Sequence, residues 1–325
     1  MRLSKRRALI VMVLIALCQS AGAQDYPSRP VTIVVPFAPG GSTDLLSRMV
    51  GQKLEQRWGK TFVIENKPGA ASLVAASAVA KANPDGYTLM MAPSATMSTN
   101  VTLYKSLPYD PVAEFVPLAV IAQTPFVLVV NPSLPVHSVQ DFIKWAKEQG
   151  GQLSYATVGP GQPHHLFAEL FKSMTGVEMS PVPYRGSLPA LNDVVAGHVP
   201  VMFVDLGAGL SIIQSGKVRA LGVSPRTRVA AIPDVPSVAE AGVPDFDAAS
   251  WQMLVAPAKS PRPVVDKLHA EIKSILALGE TKDFIVKGGM LTFENPSVEG
   301  LQDFVKSEIV RWGKVVHQAG VAGSQ

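Results

Sequence analysis

Val31-Thr-Ile-Val-Val35 is a run of apolar and β-branched residues, and Pro36-Phe-Ala-Pro-Gly-Gly41 interrupts the chain directly after it. β-branched residues favour a buried strand, whereas proline and glycine indicate a loop. From Thr43 to Trp58, apolar residues recur at helical spacing, which predicts an amphipathic helix. A strand, a loop and a helix in this order predict an α/β fold with a parallel sheet.

The alternation of strands and helices continues along the chain in two series. Strands are predicted at 62–64, 87–91, 118–121, 126–130, 154–157, 199–204, 219–223 and 251–256. Helices are predicted at 70–80, 139–149, 165–175, 188–196, 261–278, 280–287 and 297–318. A short helix that ends with residues 211–215 and a small helix at Ser237 are also predicted. The last helices need a sheet to pack on, and the middle series has helices of its own. We therefore expect one lobe from residues 24–123 and 251–325, a second from residues 124–250, and two crossing strands as a hinge.

The N-terminal segment predicts a secretory signal peptide over residues 1–23. A basic head, an apolar run from Ala8 to Leu17 and small residues before Ala23 are its three parts. The apolar run is shorter than the roughly 20 residues of a membrane span. A lipid-modified Cys18 is an alternative, although Leu17 occupies the position where a small residue is expected. We predict cleavage after Ala23 and a periplasmic location.

Removing this leader changes the charge of the protein. The whole chain has 29 basic and 25 acidic residues, and the leader contains four basic and no acidic ones, namely Arg2, Lys5, Arg6 and Arg7. The remaining chain is balanced, so it lacks the basic excess that a nucleic-acid partner requires. The leader also contains the single cysteine, Cys18, so no disulfide is predicted in the exported protein.

The loop after the first strand is a candidate anion site. Gly40 and Gly41 permit backbone conformations that other residues avoid, and Ser42 or Thr43 can cap the following helix. A helix N-terminus can bind an anion through its free N–H groups. The lysine of a phosphate-binding P-loop is absent here. An ordinary capped turn is the alternative.

A second loop, Thr157-Val-Gly-Pro-Gly-Gln-Pro-His164, has a similar construction in the second series. Two such loops at the carboxyl ends of strands could face each other across a cleft. His164, His165 and Glu169 suggest a metal site, but no further ligand follows at a suitable spacing, so no metal or other cofactor is predicted.

Arg185 and Asp205 are candidates for a different reason. A guanidinium pairs well with a carboxylate, although a surface arginine near a helix start is an equal alternative. Asp205 ends a strand, where it could orient water, bind a ligand amine or cap the next helix. Ser42, His164 and Asp205 supply the residue types of a hydrolase triad, but the G-x-S-x-G motif is missing. We therefore predict a binding protein, not an enzyme, with an exported hydrolase as the alternative.

The sequence also resembles a known family, the Bug-type substrate-binding receptors of tripartite tricarboxylate transporters. The matching motifs are Tyr26-Pro-Ser-Arg-Pro30, Val34-Val-Pro-Phe-Ala-Pro-Gly-Gly41, Val63-Ile-Glu-Asn-Lys-Pro-Gly-Ala70, Asn83-Pro-Asp-Gly-Tyr87, Glu169-Leu-Phe171, Val182-Pro-Tyr-Arg-Gly186 and Ile232-Pro-Asp-Val-Pro-Ser-Val-Ala-Glu-Ala-Gly242. The resemblance implies a two-lobed periplasmic receptor that delivers a small organic acid to membrane permease subunits. A membrane sensor kinase is a further partner that such a receptor could serve.

The resemblance also implies which residues contact the ligand. In the first lobe they are Phe37, Gly40, Gly41, Thr43 and Asp44, with Ser94 and Thr96 after the third strand. In the second lobe they are Thr157, Gly159, Gly161 and His164, with Asp205 nearby. The chain departs from the family pattern at Pro160 and Pro163, which remove two N–H donors.

Overall fold

The computed structural model describes residues 26–325, so the predicted signal peptide lies outside the described residues. The strands are β1 Val31–Val35, β2 Phe62–Asn66, β3 Thr88–Pro93, β4 Phe115–Val130, β5 Ser154–Thr157, β6 Ser180–Pro183, β7 Val201–Asp205, β8 Arg219–Val223 and β9 Ala249–Pro257. The α-helices are α1 Ser42–Trp58, α2 Leu73–Ala80, α3 Asn100–Leu103, α4 Val139–Glu148, α5 Pro163–Thr175, α6 Ser187–Ala196, α7 Leu206–Gln214, α8 Arg262–Ala277, α9 Gly279–Lys287 and α10 Val298–Gln318. None of the helices in this range is both long and apolar enough for a membrane span.

The strands form two mixed sheets, which confirms the predicted α/β fold of two lobes. In the first lobe the order is β2-β1-β3-β9-β4, with β1 parallel to β2 and β3, and with β9 antiparallel to β3 and β4. In the second lobe β4 pairs with both β7 and β8 in antiparallel fashion, and β5 lies parallel to β7 and β6. The loops at the carboxyl ends of β1, β5 and β7 therefore lie where ligands bind in α/β proteins.

Strand β4 belongs to both sheets. It pairs with β9 as far as Pro125 and with β7 from Phe126 onward. Two separate strands were predicted here, at 118–121 and 126–130, and that prediction was wrong. The polar residues Gln123 and Thr124 suggest a break, but both stay in register with β9, and Gln123 exchanges backbone hydrogen bonds with Leu291 on its other side.

Ser224 joins the two crossing segments at the point where β4 changes partner. Its hydroxyl group accepts a hydrogen bond from the N–H of Phe126 at 2.9 Å and donates one to the carbonyl of Ala248 at 2.6 Å. Ser224 is fully buried, so both bonds are shielded from water. The two strands that pass between the lobes are thus connected to each other.

Each lobe has an apolar core on both faces of its sheet. In β1, Ile33 and Val34 point to opposite faces and join different buried clusters. In the second lobe, Val127 and Leu128 of β4 likewise point to opposite faces of the sheet and join different buried clusters. The sheets are covered on both sides by helices, as the continuous apolar strands predict.

Some local predictions were wrong. Ser237 starts a turn and not a helix, although its side chain and that of Glu240 exchange hydrogen bonds with each other's N–H group as at a helix start. Gly242 and Pro244 follow too closely for a helix to form. The predicted helix 70–80 begins instead with a 3₁₀ turn, Ala70–Ser72, and the π-helical turn Ala95–Thr99 before α3 was not predicted.

Helix α10 connects the two lobes through one buried carboxylate. Glu308, which is 6% exposed, accepts hydrogen bonds from the indole N–H groups of Trp251 and Trp312, at 2.9 and 3.0 Å. Trp251 lies in β9, and the Trp312 ring stacks on Phe167 of α5 at 5.3 Å between centroids. Glu308 therefore links the crossing strand to the second lobe.

We predict that Glu308→Ala lowers the free energy of unfolding by about 2–4 kcal/mol, because it leaves two buried indole donors without an acceptor. Asp303→Ala on the exposed side of the same helix is the matched control and should change it by less than about 0.5 kcal/mol. Urea denaturation of both variants measures the difference. Equal effects would show that the Glu308 hydrogen bonds contribute nothing specific.

Candidate functional site

A cavity of about 380 Å³ lies between the lobes at the carboxyl ends of several strands. The first-lobe wall comprises Phe37, Gly41, Ser42, Thr43, Ser72, Pro93, Ser94, Ala95, Asn100 and Gln252, together with Thr124 and Ser250 from the crossing strands at the lobe boundary, and the second-lobe wall comprises Phe126, Gln162, Pro163, His164, Ser187 and Asp205. The volume is in the range of small-molecule sites. Among these lining residues there is no lysine or arginine.

The first glycine loop brings the N-terminus of α1 to the cavity. Gly41 occupies the N-cap position with extended backbone angles, and no side chain caps the helix. The predicted capping by Ser42 or Thr43 was therefore wrong, since both residues lie inside the helix. The N–H of Leu45 is the first to bond the carbonyl of Gly41. The amide groups ahead of it have no intrahelical acceptor and remain available to an anion.

Asp44 and Gly40 do not line the cavity. The buried Asp44 carboxylate accepts hydrogen bonds from the Gly40 N–H at 3.0 Å, from Asn66 at 2.9 Å and from Arg48 at 2.9 and 3.1 Å. Asn66 also donates to the carbonyl of Phe37 at 3.0 Å. These bonds hold the glycine loop on the side away from the cavity, so Asp44 positions the loop.

The hydrogen bond from Arg48 is the main cause that lowers the pKa of Asp44 from 3.8 to about 2. A lowered pKa in the folded state means that the ionised carboxylate stabilises the fold at neutral pH, and that this stability is lost as pH falls from about 4 towards 2. We predict that wild-type protein loses more stability over this interval than Asp44→Asn, as measured by urea denaturation at several pH values. Parallel curves would contradict the assignment.

The loop after β3 contributes hydroxyl groups. Ser94 lines the cavity, with its Oγ 3.2 Å from the Oγ of Ser250. Thr96 is fully buried behind it, and its Oγ1 lies 2.6 Å from the Oγ of Ser72. Ser72 lines the cavity and has a left-handed backbone with φ 80°, a conformation that non-glycine residues adopt rarely. Ser72 was not among the predicted site residues, although its position shortly after the carboxyl end of β2 indicates a place near the cleft.

The glycine part of the second loop lies outside the cavity, whereas Gln162, Pro163 and His164 at its end line it. Thr157, Gly159 and Gly161 do not line the cavity; the Thr157 carbonyl accepts from the N–H of Tyr184 at 2.7 Å. Gly161 has φ 73°, and a Cβ atom there would lie 2.4 Å from Leu103 of α3. A glycine is therefore required where this loop packs against the opposite lobe.

His164, Ser187 and Asp205 form a polar cluster on the second-lobe side. The Nε2 of His164 lies 2.9 Å from the Ser187 Oγ and 3.4 Å from the Asp205 Oδ2. The imidazole packs edge-on against Phe126, with 4.9 Å between ring centroids. Because both partners meet the same nitrogen, the cluster has no serine–histidine–aspartate relay.

Asp205 also caps α7, because its Oδ1 accepts from the N–H of Ala208 at 2.9 Å. Burial alone would raise the pKa of Asp205, but hydrogen bonds from His164, Ser187 and Ala208 outweigh it and lower the pKa. Asp205 is therefore an ionised carboxylate at neutral pH, and it is the acidic side chain that faces the cavity.

The remaining candidates have other partners or positions. Arg185 is exposed, precedes α6 and does not line the cavity. His165 accepts from the N–H of Gly161 at 3.3 Å, and Glu169 accepts from the hydroxyl of Tyr155 at 2.7 Å. Over residues 26–325 no group of three His, Cys, Asp or Glu side chains is arranged for a metal ion.

A cleft between two α/β lobes is typical of solute-binding receptors that close around a ligand. The chain belongs to the family described as tripartite tricarboxylate transporter family receptor, whose model matches residues 46–321. It is 34% identical to protein BugT of Bordetella pertussis over 300 residues, covering 92% of this chain and 91% of that protein. This confirms the resemblance to Bug-type receptors.

Two solved structures are also similar to the chain. R. palustris Rpa4515 with adipate is 38% identical with a TM-score of 0.80, covering 92% of this chain and 99% of that one. MatC from Rhodopseudomonas palustris with bound malate is 32% identical with a TM-score of 0.75, covering 90% and 100%. The family is one of periplasmic solute receptors, and contact of each candidate residue with a ligand stays a prediction.

Proposed function

We propose that this receptor binds a small organic acid in the cavity between its lobes and delivers it to membrane permease subunits. The observation that carries the proposal is the chemistry of the first-lobe wall. It presents the free N–H groups at the start of α1 and the hydroxyl groups of Ser72, Ser94, Thr124 and Ser250. These are donors for a carboxylate, and the similar structures hold adipate and malate.

A carboxylate fits this wall better than a cation does. The N-terminus of α1 carries a partial positive charge from its backbone dipoles. Its N–H groups bind an anion without a basic side chain. The first-lobe lining contributes no acidic side chain that would repel a carboxylate.

A panel of mono-, di- and tricarboxylates tests the proposal. A ligand that binds only the folded state stabilises it by about 2.7 kcal/mol at a concentration 100 times its dissociation constant. We therefore expect a saturable rise in the melting temperature with at least one acid. A panel of sugars and amines of similar size is the control. If no acid raises the melting temperature, the proposed function fails.

Gly41→Val should weaken acid binding at least tenfold while the fold stays intact. A Cβ at Gly41 meets no atom within 4 Å, and the extended backbone accepts valine, but the side chain would cover the amide groups of α1. Gly279→Val is the matched control, because Gly279 also has open space and lies outside the cavity. Calorimetric titration compares both variants, and unchanged affinity in Gly41→Val would exclude the backbone cradle.

We further propose that the chain acts by binding alone. A hydrolase would need Ser42 or Ser187 next to an oriented base, but Ser187 and Asp205 share one nitrogen of His164. An ester and amide panel without turnover above buffer would support binding alone. No feature of residues 26–325 favours a sensor kinase as a partner, so the proposal is limited to the permease.

Export and domain boundaries belong to the same proposal. Cleavage after Ala23 would give an intact mass beginning at Gln24 for protein recovered from the periplasm. Lobe boundaries of 24–123 plus 251–325 and 124–250 are supported by the change of partner along β4 at Pro125. A smaller radius of gyration with ligand, measured by X-ray scattering, would support closure about this boundary.

A further inference from the structure

We propose that the preferred ligand is an acid with one carboxylate and, at its far end, a hydrogen-bond donor such as a hydroxyl or an ammonium group, and that Asp205 accepts this donor. The inference rests on the proposed function and narrows the class of acid. It depends on a difference in chemistry between the two walls of the cavity.

The first-lobe wall has unused groups for the carboxylate. The Thr124 Oγ1 and Gln252 Oε1 atoms are buried and have no hydrogen-bond partner among the described residues. Both side chains line the cavity. A hydroxyl group can donate, and the terminal atoms of a glutamine amide can be exchanged to present N–H. Together with the α1 amide groups they can satisfy a carboxylate at this end.

The second-lobe wall has an ionised acceptor, Asp205, with lone pairs to spare. Asp205 Oδ1 accepts the N–H of Ala208, and the other hydrogen-bond partners of the carboxylate are the side chains of His164, whose Nε2 lies 3.4 Å from Oδ2, and Ser187. The nearer partner of that nitrogen is Ser187, at 2.9 Å. An ionised carboxylate oxygen can accept more than one hydrogen bond. Asp205 Oδ2 thus has free capacity for a donor on the ligand.

A second carboxylate on the ligand would be unfavourable at this end. It would face the negative charge of Asp205, and no lysine or arginine lines the cavity to compensate. Like charges placed together across an interface cost several kilocalories per mole, which corresponds to a loss of at least tenfold in affinity. An ammonium or hydroxyl group at the same place gains a charge-assisted hydrogen bond.

Calorimetric titration of acids matched in chain length tests the proposal. For each length of about four to six carbons, the set contains the ω-amino acid, the ω-hydroxy acid, the unsubstituted acid and the dicarboxylate. One fixed pH of about 8 is used, above the usual imidazole titration. We expect the best ω-amino or ω-hydroxy acid to bind at least tenfold more tightly than its dicarboxylate.

Asp205→Asn removes the charge and keeps the cap of α7, because asparagine caps helices as well as aspartate does. We expect the ratio of dicarboxylate to ω-amino acid affinity to rise at least tenfold in this variant. Asp193→Asn removes a second-lobe carboxylate that lies outside the cavity, and it should leave the ratio unchanged. The melting temperature of each unliganded variant shows whether the fold is kept.

The outcomes separate this inference from the proposed function. If the dicarboxylate binds most tightly to wild-type protein, or if Asp205→Asn keeps the wild-type ratio, the inference is overturned while the carboxylate receptor stands. If no acid of any kind binds, both fail.

Discussion

Strand β4 must form backbone hydrogen bonds in two sheets at once, and this requirement decides where the cleft can lie. The strand changes partner between Pro125 and Phe126. At this point the buried Ser224 side chain forms hydrogen bonds with both Phe126 and Ala248. Thr124, Phe126 and Ser250 line the cavity beside this point. The ligand site is therefore built partly from the hinge itself. Any change in the angle between the lobes moves these side chains relative to the loops that face them.

The electrostatics of the site follow from keeping strong charges out of the first-lobe wall. Arg48 is adjacent to the glycine loop, but its charge is paired with Asp44 behind the loop. Amide and hydroxyl groups therefore remain to bind the anion. Burying these neutral groups in a closed cleft costs less desolvation free energy than burying the charged group of a lysine. Such groups return to water easily, which suits a receptor that must release its ligand. Asp205 is the exception. Because it lies on the opposite wall, one end of the cavity presents hydrogen-bond donors and the other presents a negative charge.

Much of the site was predictable because α/β sheets place ligands at the carboxyl ends of strands. Phe37, Gly41, Thr43, Ser94, His164 and Asp205 follow such ends and do line the cavity. The sequence does not tell which side of a loop faces the cleft, so Gly40, Asp44 and Thr96 were included although they lie behind it. Ser250 and Gln252 were missed because they lie within β9, whose apolar pattern indicates core. The continuity of β4 was missed because only its partners reveal it.

Two of the chain's four tryptophans share the carboxylate of Glu308 at the junction of the lobes. The other two, Trp58 and Trp145, lie on α1 and α4, away from this junction. Indole emission depends on the local field, and a negative charge beside the ring shifts its wavelength. Emission from Trp251 and Trp312 therefore depends on their hydrogen bonds to Glu308. With Trp58 and Trp145 replaced by phenylalanine, the emission wavelength of the remaining pair would report any change in these hydrogen bonds without an added dye.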